Sequence, residues 1–203
     1  LNNGTAIGTS IVDGRFGKAR SFSSNEYISI PPGSLVSIGA SDFSIELWLK
    51  TSDRGRNFLY KWGDEFTTPG FKMFLDASSV PGQLVMTFND GSGTHNNAVS
   101  VRRVDDNQWH HVAGIRAGNS VKLYVDGVLE SVADITGEGS FANNSTLQLG
   151  NFNGVLDEVR FSNMARTSSE FNLQLPPKGL SVIASVTSLT INWQTGGGVS
   201  PLR

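Results

Sequence analysis

Two adjacent acidic pairs, Asp64-Glu65 and Asp157-Glu158, and one histidine pair, His110-His111, are the side chains of this 203-residue sequence whose types most invite chemistry. Cleaving a glycosidic bond takes two carboxyl groups, one on each side of the bond. Neighbours along a strand point to opposite faces, so neither acidic pair flanks one bond by itself. The same divergence keeps His110 and His111 from gripping one metal ion, and beside Trp109 they read as packed or hydrogen-bonded side chains. Serines are plentiful, yet no Gly-x-Ser-x-Gly elbow presents one as a nucleophile. Cysteine is absent, which removes thiolate catalysis, thiolate metal sites and disulfides together.

Binding chemistry is better supplied. A pyranose ring has an apolar face and a rim of hydroxyls, so a sugar site needs an exposed aromatic platform with converging amide, carboxylate or imidazole groups. Trp62 with Asp64, and the polar loop 89–97 carrying Asp90, His95, Asn96 and Asn97, answer that description, and Asn151 and Asn153 add amides from a later loop. The plainer reading is that Gly/Asn loops are ordinary turn composition, and that Trp48 and Trp109, inside regular strands, are structural.

Strands must position these groups. Phe43 to Lys50 reads FSIELWLK, in which Phe43, Ile45, Leu47 and Leu49 alternate with Ser44, Glu46, Trp48 and Lys50, the pattern of a strand with one buried face. From Asp106 to Glu130 two apolar runs, Trp109 to Arg116 and Val121 to Val125, precede Asp126-Gly127 and then Val128-Leu129, a hairpin turn signal that demands positive φ at both central residues. Further strands are expected at Glu26 to Ile30, Phe58 to Trp62, Phe71 to Leu75, Leu84 to Phe88, Ala98 to Val101, Thr146 to Leu149 and Val155 to Phe161, between clusters such as Pro31-Pro32-Gly33, Pro81-Gly82 and Asn89-Asp90-Gly91. Residues 1–20 read as a loop or edge strand around Ile11-Val12, and Thr167-Ser168-Ser169-Glu170 opens a single helical turn. Regularly spaced short strands with hardly any helical periodicity define an all-β sandwich.

Composition narrows the partners. Sixteen Lys+Arg against 18 Asp+Glu leave a net charge of -2, with no basic block to neutralise phosphates, so nucleic acid is not an expected partner. No apolar run approaches the roughly 20 residues that span a bilayer, so membrane insertion is not expected either. Leu1-Asn2-Asn3-Gly4 lacks the charged and apolar regions of a signal peptide, and the chain reads as a soluble, excised or processed piece.

Taken in order, GRFGKARSF, FSIELWLK, NQWHHVAGIR, VKLYVDGVLE and GVLDEVRFSNMARTSSEF resemble the bacterial laminin-G-like jelly rolls of the concanavalin-A-like lectin and glucanase superfamily, over residues 1–175. The resemblance implies a two-sheet antiparallel jelly-roll sandwich, its concave sheet offering a groove, and a non-catalytic module of a secreted or cell-surface protein. It also implies one structural calcium: Asp157 is similar to the final-strand aspartate that holds the ion in relatives, with Ser23-Ser24-Asn25-Glu26, notably Asn25 and Glu26, as its partners. Ser23-Ser24 stands where relatives often carry Asp-Gly. The alternative is that Asp157 caps a turn or pairs with Arg15 or Arg160. The Glu-x-Asp-x-Glu pattern of the glucanases does not occur.

Residues 176–203 resemble the first two strands of a fibronectin type III module, with Trp193 at its buried aromatic position, but stop short of the roughly 100 residues such a sandwich needs. Leu180 and Val182 with Leu189, Ile191 and Trp193 would form a β-hairpin extension that docks on the main domain or pairs with another copy. The expected function is glycan recognition at an extracellular or cell-surface location. Its rival is an adhesive module that contacts a cell-surface protein, and a glycoside hydrolase is the remote third reading.

Overall fold

The computed structural model describes residues 4–33, 38–64, 67–93, 95–171, 173 and 188–191. Fifteen strands and one short 3₁₀ turn, Ser168–Glu170, make up its regular structure. One sheet has seven strands in the order β1 (Thr5–Ile7), β4 (Tyr27–Ile30), β13 (Leu147–Gly150), β6 (Asn57–Lys61), β7 (Gly70–Leu75), β8 (Gln83–Asn89) and β9 (Asn96–Arg103). The other runs β12 (Val128–Asp134), β11 (Ser120–Val125), β10 (Trp109–Ala117), β5 (Phe43–Thr51), β14 (Gly154–Ser162), β3 (Lys18–Phe22) and β2 (Ser10–Asp13), with β15 (Ser188–Ile191) as its eighth strand, set against β14. All pairings are antiparallel, the arrangement of the expected all-β jelly-roll sandwich.

The core follows from strand alternation. Ile28, Leu149, Leu59, Met73, Met86 and Ala98 face one another in register across six strands of the first sheet, and all are buried. Ile45, Leu47, Leu49, Val112 and Leu123 join them from the second sheet in one continuous cluster. At the hairpin, Asp126 (φ 51) and Gly127 (φ 78) take the paired positive-φ conformation that their sequence signals. Ile135 and Phe141, between β12 and β13 in the chain, belong to the same cluster.

The expectation of one buried face on β5 does not hold, because all of Phe43 to Leu49 is buried. The chain beyond β14 folds back over the outer face of the eight-stranded sheet, where Ala165, Phe171 and Leu173 pack with Ala113, Ile115 and Tyr124 as a second small core. This places Glu46 in the interior with His111 Nε2 at 3.2 Å and Arg160 Nε at 2.7 Å. His111 lies against the rings of Trp48 and Phe171, while His110 sits between Asp126 (2.8 Å) and Asp106 (3.1 Å). Hydrogen bonding to Asp126 raises the His110 imidazole above its ordinary value. The two histidines thus diverge into separate hydrogen-bonded settings.

From residues 176–203, Ser188–Ile191 docks as β15 against Val159–Ser162 of β14. β3 covers the other half of that strand at Gly154–Leu156. The first strand of the expected hairpin, with Leu180 and Val182, lies outside the described residues, as do Trp193 and most of the fibronectin-like segment.

Candidate functional site

The outer face of the seven-stranded sheet carries a polar row set by the register. Thr5 lies opposite Ser29, Ser29 opposite Gln148, Gln148 opposite Tyr60, Tyr60 opposite Lys72, Lys72 opposite Thr87 and Thr87 opposite Asn97, one residue from every strand. Successive strands lie about 4.8 Å apart, so the row crosses the whole sheet as a continuous stripe. At its centre is a depression of about 270 Å³ lined by Asn57, Tyr60, Lys72, Gln148, Gly150 and Asn151. A partly buried phenol ring, three amides and one ammonium meet there. They supply an apolar surface and hydrogen-bonding groups of both senses, the combination a sugar ring requires.

The sequence-derived sugar site is divided by this geometry. Trp62 is only 3% exposed, so it is not the open platform expected of it. Its ring packs over Gly70, meets His95 edge-on at 5.3 Å and lies 5.4 Å from the Lys72 ammonium. It is therefore the floor beneath Lys72 and His95. Asp64 spends its carboxylate on the following turn, accepting the Thr67 N–H (3.1 Å) and hydroxyl (2.9 Å). Asp90 likewise caps a loop through the N–H groups of Ser92 and Gly139, both at 2.9 Å, and the Gly139 bond leads in holding its carboxyl below the ordinary value. Asn96 donates to Glu138 at 2.6 Å, off the stripe. Asn97 stands on the stripe and accepts from the Thr87 hydroxyl at 2.7 Å. Asn151 lines the depression, whereas Asn153 bonds Asp53 and Ser24.

A buried cation supports the stripe from below. Lys61 Nζ points into the sandwich and donates to the Asn143 carbonyl (3.1 Å), the Asn143 side chain (3.1 Å) and the Ser145 carbonyl (2.6 Å). Burial pushes this ammonium below its ordinary value. Asn143 returns bonds to the carbonyls of Lys61 (3.2 Å) and Pro69 (2.5 Å), which fixes the end of β6 and the start of β7 where Tyr60 and Lys72 stand side by side.

The expected calcium ligands do not come together. Asp157 is buried, and its carboxylate accepts the backbone N–H groups of Phe16 and Glu158, both at 2.9 Å. Burial raises this carboxyl above its ordinary value, and those hydrogen bonds only partly offset it. Its N-terminal neighbour is thus the loop 14–16, not 23–26. Leu156 lies opposite Arg20, which places Asp157 three residues, roughly 10 Å, from the Gly154–Phe22 pair beside which Asn25 begins its loop. Asn25 donates its N–H to Asn151, and Glu26 accepts the Ser23 N–H at 2.7 Å. Calcium needs six or more oxygens, whereas the groups aimed at Asp157 are N–H donors. Among the described residues no three His, Asp or Glu side chains gather as metal ligands.

Tyr60, Lys72 and Gln148 were not singled out by sequence. The strand Phe58 to Trp62 was legible, but which of its aromatics stays open depends on the cover over Trp62, a contact between distant segments.

Two facing antiparallel sheets around one core, with a polar outer stripe, make this a jelly-roll sandwich. The chain belongs to the concanavalin A-like lectin/glucanases superfamily, whose family profile matches residues 22–172. It is 25% identical over 211 residues to the N,N-dimethylformamidase beta subunit of Paracoccus aminophilus, a match that covers 86% of this chain but 27% of that subunit. Among solved structures it is similar to the binding domain of Paraclostridial Mosquitocidal Protein 1, with a TM-score of 0.68 and 22% identity, over 83% of this chain and 46% of that one. It is also similar to domain 4 of AbnA, an extracellular arabinanase of Geobacillus stearothermophilus solved with arabinotriose, with a TM-score of 0.60 and 20% identity, over 82% and 85% of the two chains. At these identities the structural likeness speaks for the fold. Among the described residues no helix is long and apolar enough to cross a membrane.

Proposed function

We propose that this chain is a non-catalytic glycan-recognition module of a secreted or cell-surface protein, binding sugars on the outer face of the seven-stranded sheet. The observation that carries the reading is the register-aligned polar stripe with the Tyr60 depression at its centre. Tyr60 offers the ring face, and Asn57, Gln148 and Asn151 offer amides to the hydroxyl rim. None of the six lining residues is a carboxylate, so the depression lacks the acid pair that glycoside cleavage uses. The likeness to an arabinanase domain solved with arabinotriose supports the choice of ligand. A glycan array is expected to give selective binding that Tyr60→Ala weakens at least tenfold, or ~1.4 kcal/mol. Binding that Tyr60→Ala and Gln148→Ala both leave unchanged would place the ligand elsewhere.

A second reading, contact with a cell-surface protein, is favoured by the seam between β9 and β12. Val101, 79% exposed, lines an open cleft of about 460 Å³ with Arg102, Leu129 and Glu130. Val128 and Val132 are exposed on β12 as well. Loss of target-cell binding in Val101→Asp with an unchanged glycan array would favour this reading.

A further inference from the structure

We propose that His110 is a pH-operated latch that fastens the segment between β9 and β10 to the β11–β12 turn, closed while both ring nitrogens carry protons and released when one proton leaves. The latch shares no residue with the Tyr60 depression and does not rest on the glycan reading.

His110 Nδ1 lies 2.8 Å from Asp126 Oδ2, and Nε2 lies 3.1 Å from Asp106 Oδ1. A carboxylate is an acceptor only, whereas a neutral imidazole has one N–H and one lone pair. Burial acts to raise both carboxyls, but hydrogen bonds outweigh it and hold both below the ordinary 3.8. Asp106 receives them from the Gln108 N–H and His110, and Asp126 from His110 and the His111 N–H. Both carboxyls are therefore ionised at neutral pH, and the imidazolium is the form that satisfies the two at once. Asp106 lies in the segment after β9, His110 at the start of β10, and Asp126 is the first of the two positive-φ turn residues. One proton thus decides whether these three places are joined.

The proton that leaves is the one on Nε2. Asp126 is the better anchored partner, because its Oδ1 accepts the His111 N–H at 2.9 Å and Arg102 Nη1 of β9 lies 3.5 Å from its Oδ2. The Asp106 side chain is 55% exposed, so it can swing into water. A neutral His110 keeps its Nδ1–H on Asp126 and aims an Nε2 lone pair at the Asp106 carboxylate, which repels it. Behind Asp126, Arg102 also approaches Glu130 of β12 at 3.4 Å, and on the β5 side the register partner of His110 is the uncharged Leu49. Arg102 and Glu130 line the open cleft with Val101 and Leu129, so loss of the proton leaves that wall more negative. Hydrogen bonding to Asp126 raises the imidazole above its ordinary 6.5. The latch is therefore complete below 6.5 and is lost as the pH rises through the raised value.

The test is an NMR titration of the imidazole groups of the 203-residue chain, with amide exchange read as protection at about pH 6 and about pH 9. His110 is expected to titrate above 6.5, with both ring N–H signals present below its midpoint. Protection of the Asn107 and Gln108 amides is expected to fall about tenfold between the two pH values. The Asp126 amide, bonded to the His111 carbonyl at 2.7 Å, is expected to keep its protection. Asp106→Asn retains an acceptor for the Gln108 N–H and offers Nε2 an amide donor once the ring is neutral. Its protection is expected to be equal at both pH values, with a lower His110 midpoint than the parent's. His110→Gln is expected to remove the pH dependence as well, leaving Asn107 and Gln108 at the low level throughout. A His110 midpoint at or below 6.5, or parent protection that does not change with pH, would overturn the latch. So would a pH-dependent loss that persists in Asp106→Asn, since another group would then be its source.

Discussion

Glu46 is 1% exposed, and it ties three segments together. Arg160 on β14 donates to it through Nε and Nη2, His111 on β10 reaches it at 3.2 Å, and Arg166 from the covering segment lies 3.8 Å away. Burial alone would raise this carboxyl, but the His111 hydrogen bond and the Arg160 charge outweigh it and hold the group below the ordinary 4.5. A depressed folded-state value means that the stabilisation is complete above that ordinary value and is lost as the pH falls through the depressed one. Glu46→Ala leaves the part-buried Arg160 guanidinium without its carboxylate, keeping only the Glu170 carbonyl among the described residues, and is expected to cost ~3 kcal/mol in urea unfolding at pH 7. Glu46→Gln keeps the shape and cannot ionise, so its stability is expected to fall less steeply than the parent's between about pH 5 and 3. An equally steep acid limb in both proteins would assign acid sensitivity to other carboxylates. In the sequence Glu46 reads as the solvent side of an alternating strand. Periodicity reports that a second face exists, and it is silent on what a distant segment lays over it.

At the scale of elements, the strands with strong alternation were legible because side-chain direction on a strand has period two, and the Asp126-Gly127 turn fixed where β11 becomes β12. β3 escaped notice, since Lys18-Ala19-Arg20-Ser21-Phe22 offers only two fully buried positions, Ala19 and Phe22. Contacts between the sheets were not legible at all. Gly114 of β10 faces Met86 of β8, and a Cβ at Gly114 would lie 1.9 Å from the Met86 sulfur. Both positions sit between the sheets, so one strand cannot back away without disturbing its neighbours. Gly114→Ala is expected to destabilise by about 1–3 kcal/mol in denaturant titration. Adding Met86→Ala makes room for the new methyl, so the double variant is expected to be more stable than the sum of the two single losses predicts. Simple additivity would mean that the strands already have slack at this crossing.

For the whole molecule, the fold was legible from the ordered strand set, and the candidate site only in part. Its stripe places Gln148 beside Tyr60, a pairing of strands almost ninety residues apart that no local pattern reveals, and the chosen aromatic, Trp62, became the floor of the surface it was expected to present. The tail shows the same dependence on long-range pairing. β3 leaves the C-terminal half of β14 unpaired, and β15 takes that place through Val159–Ser162. An open strand edge presents unpaired N–H and C=O groups to any neighbour, so this pairing closes a point of self-association. A chain ending after residue 175 is expected to melt several degrees lower, each 1 kcal/mol lost being about 2–4 °C at this size. Sedimentation of the shortened chain is expected to reveal concentration-dependent dimers, because a second copy then offers the strand that β15 provided. If the shortened chain keeps its melting temperature and stays monomeric, β15 adds nothing to the stability of the sandwich or to its monomeric state. If it dimerises without a loss of stability, the edge of β14 is a docking position for neighbouring chains that the tail normally occupies.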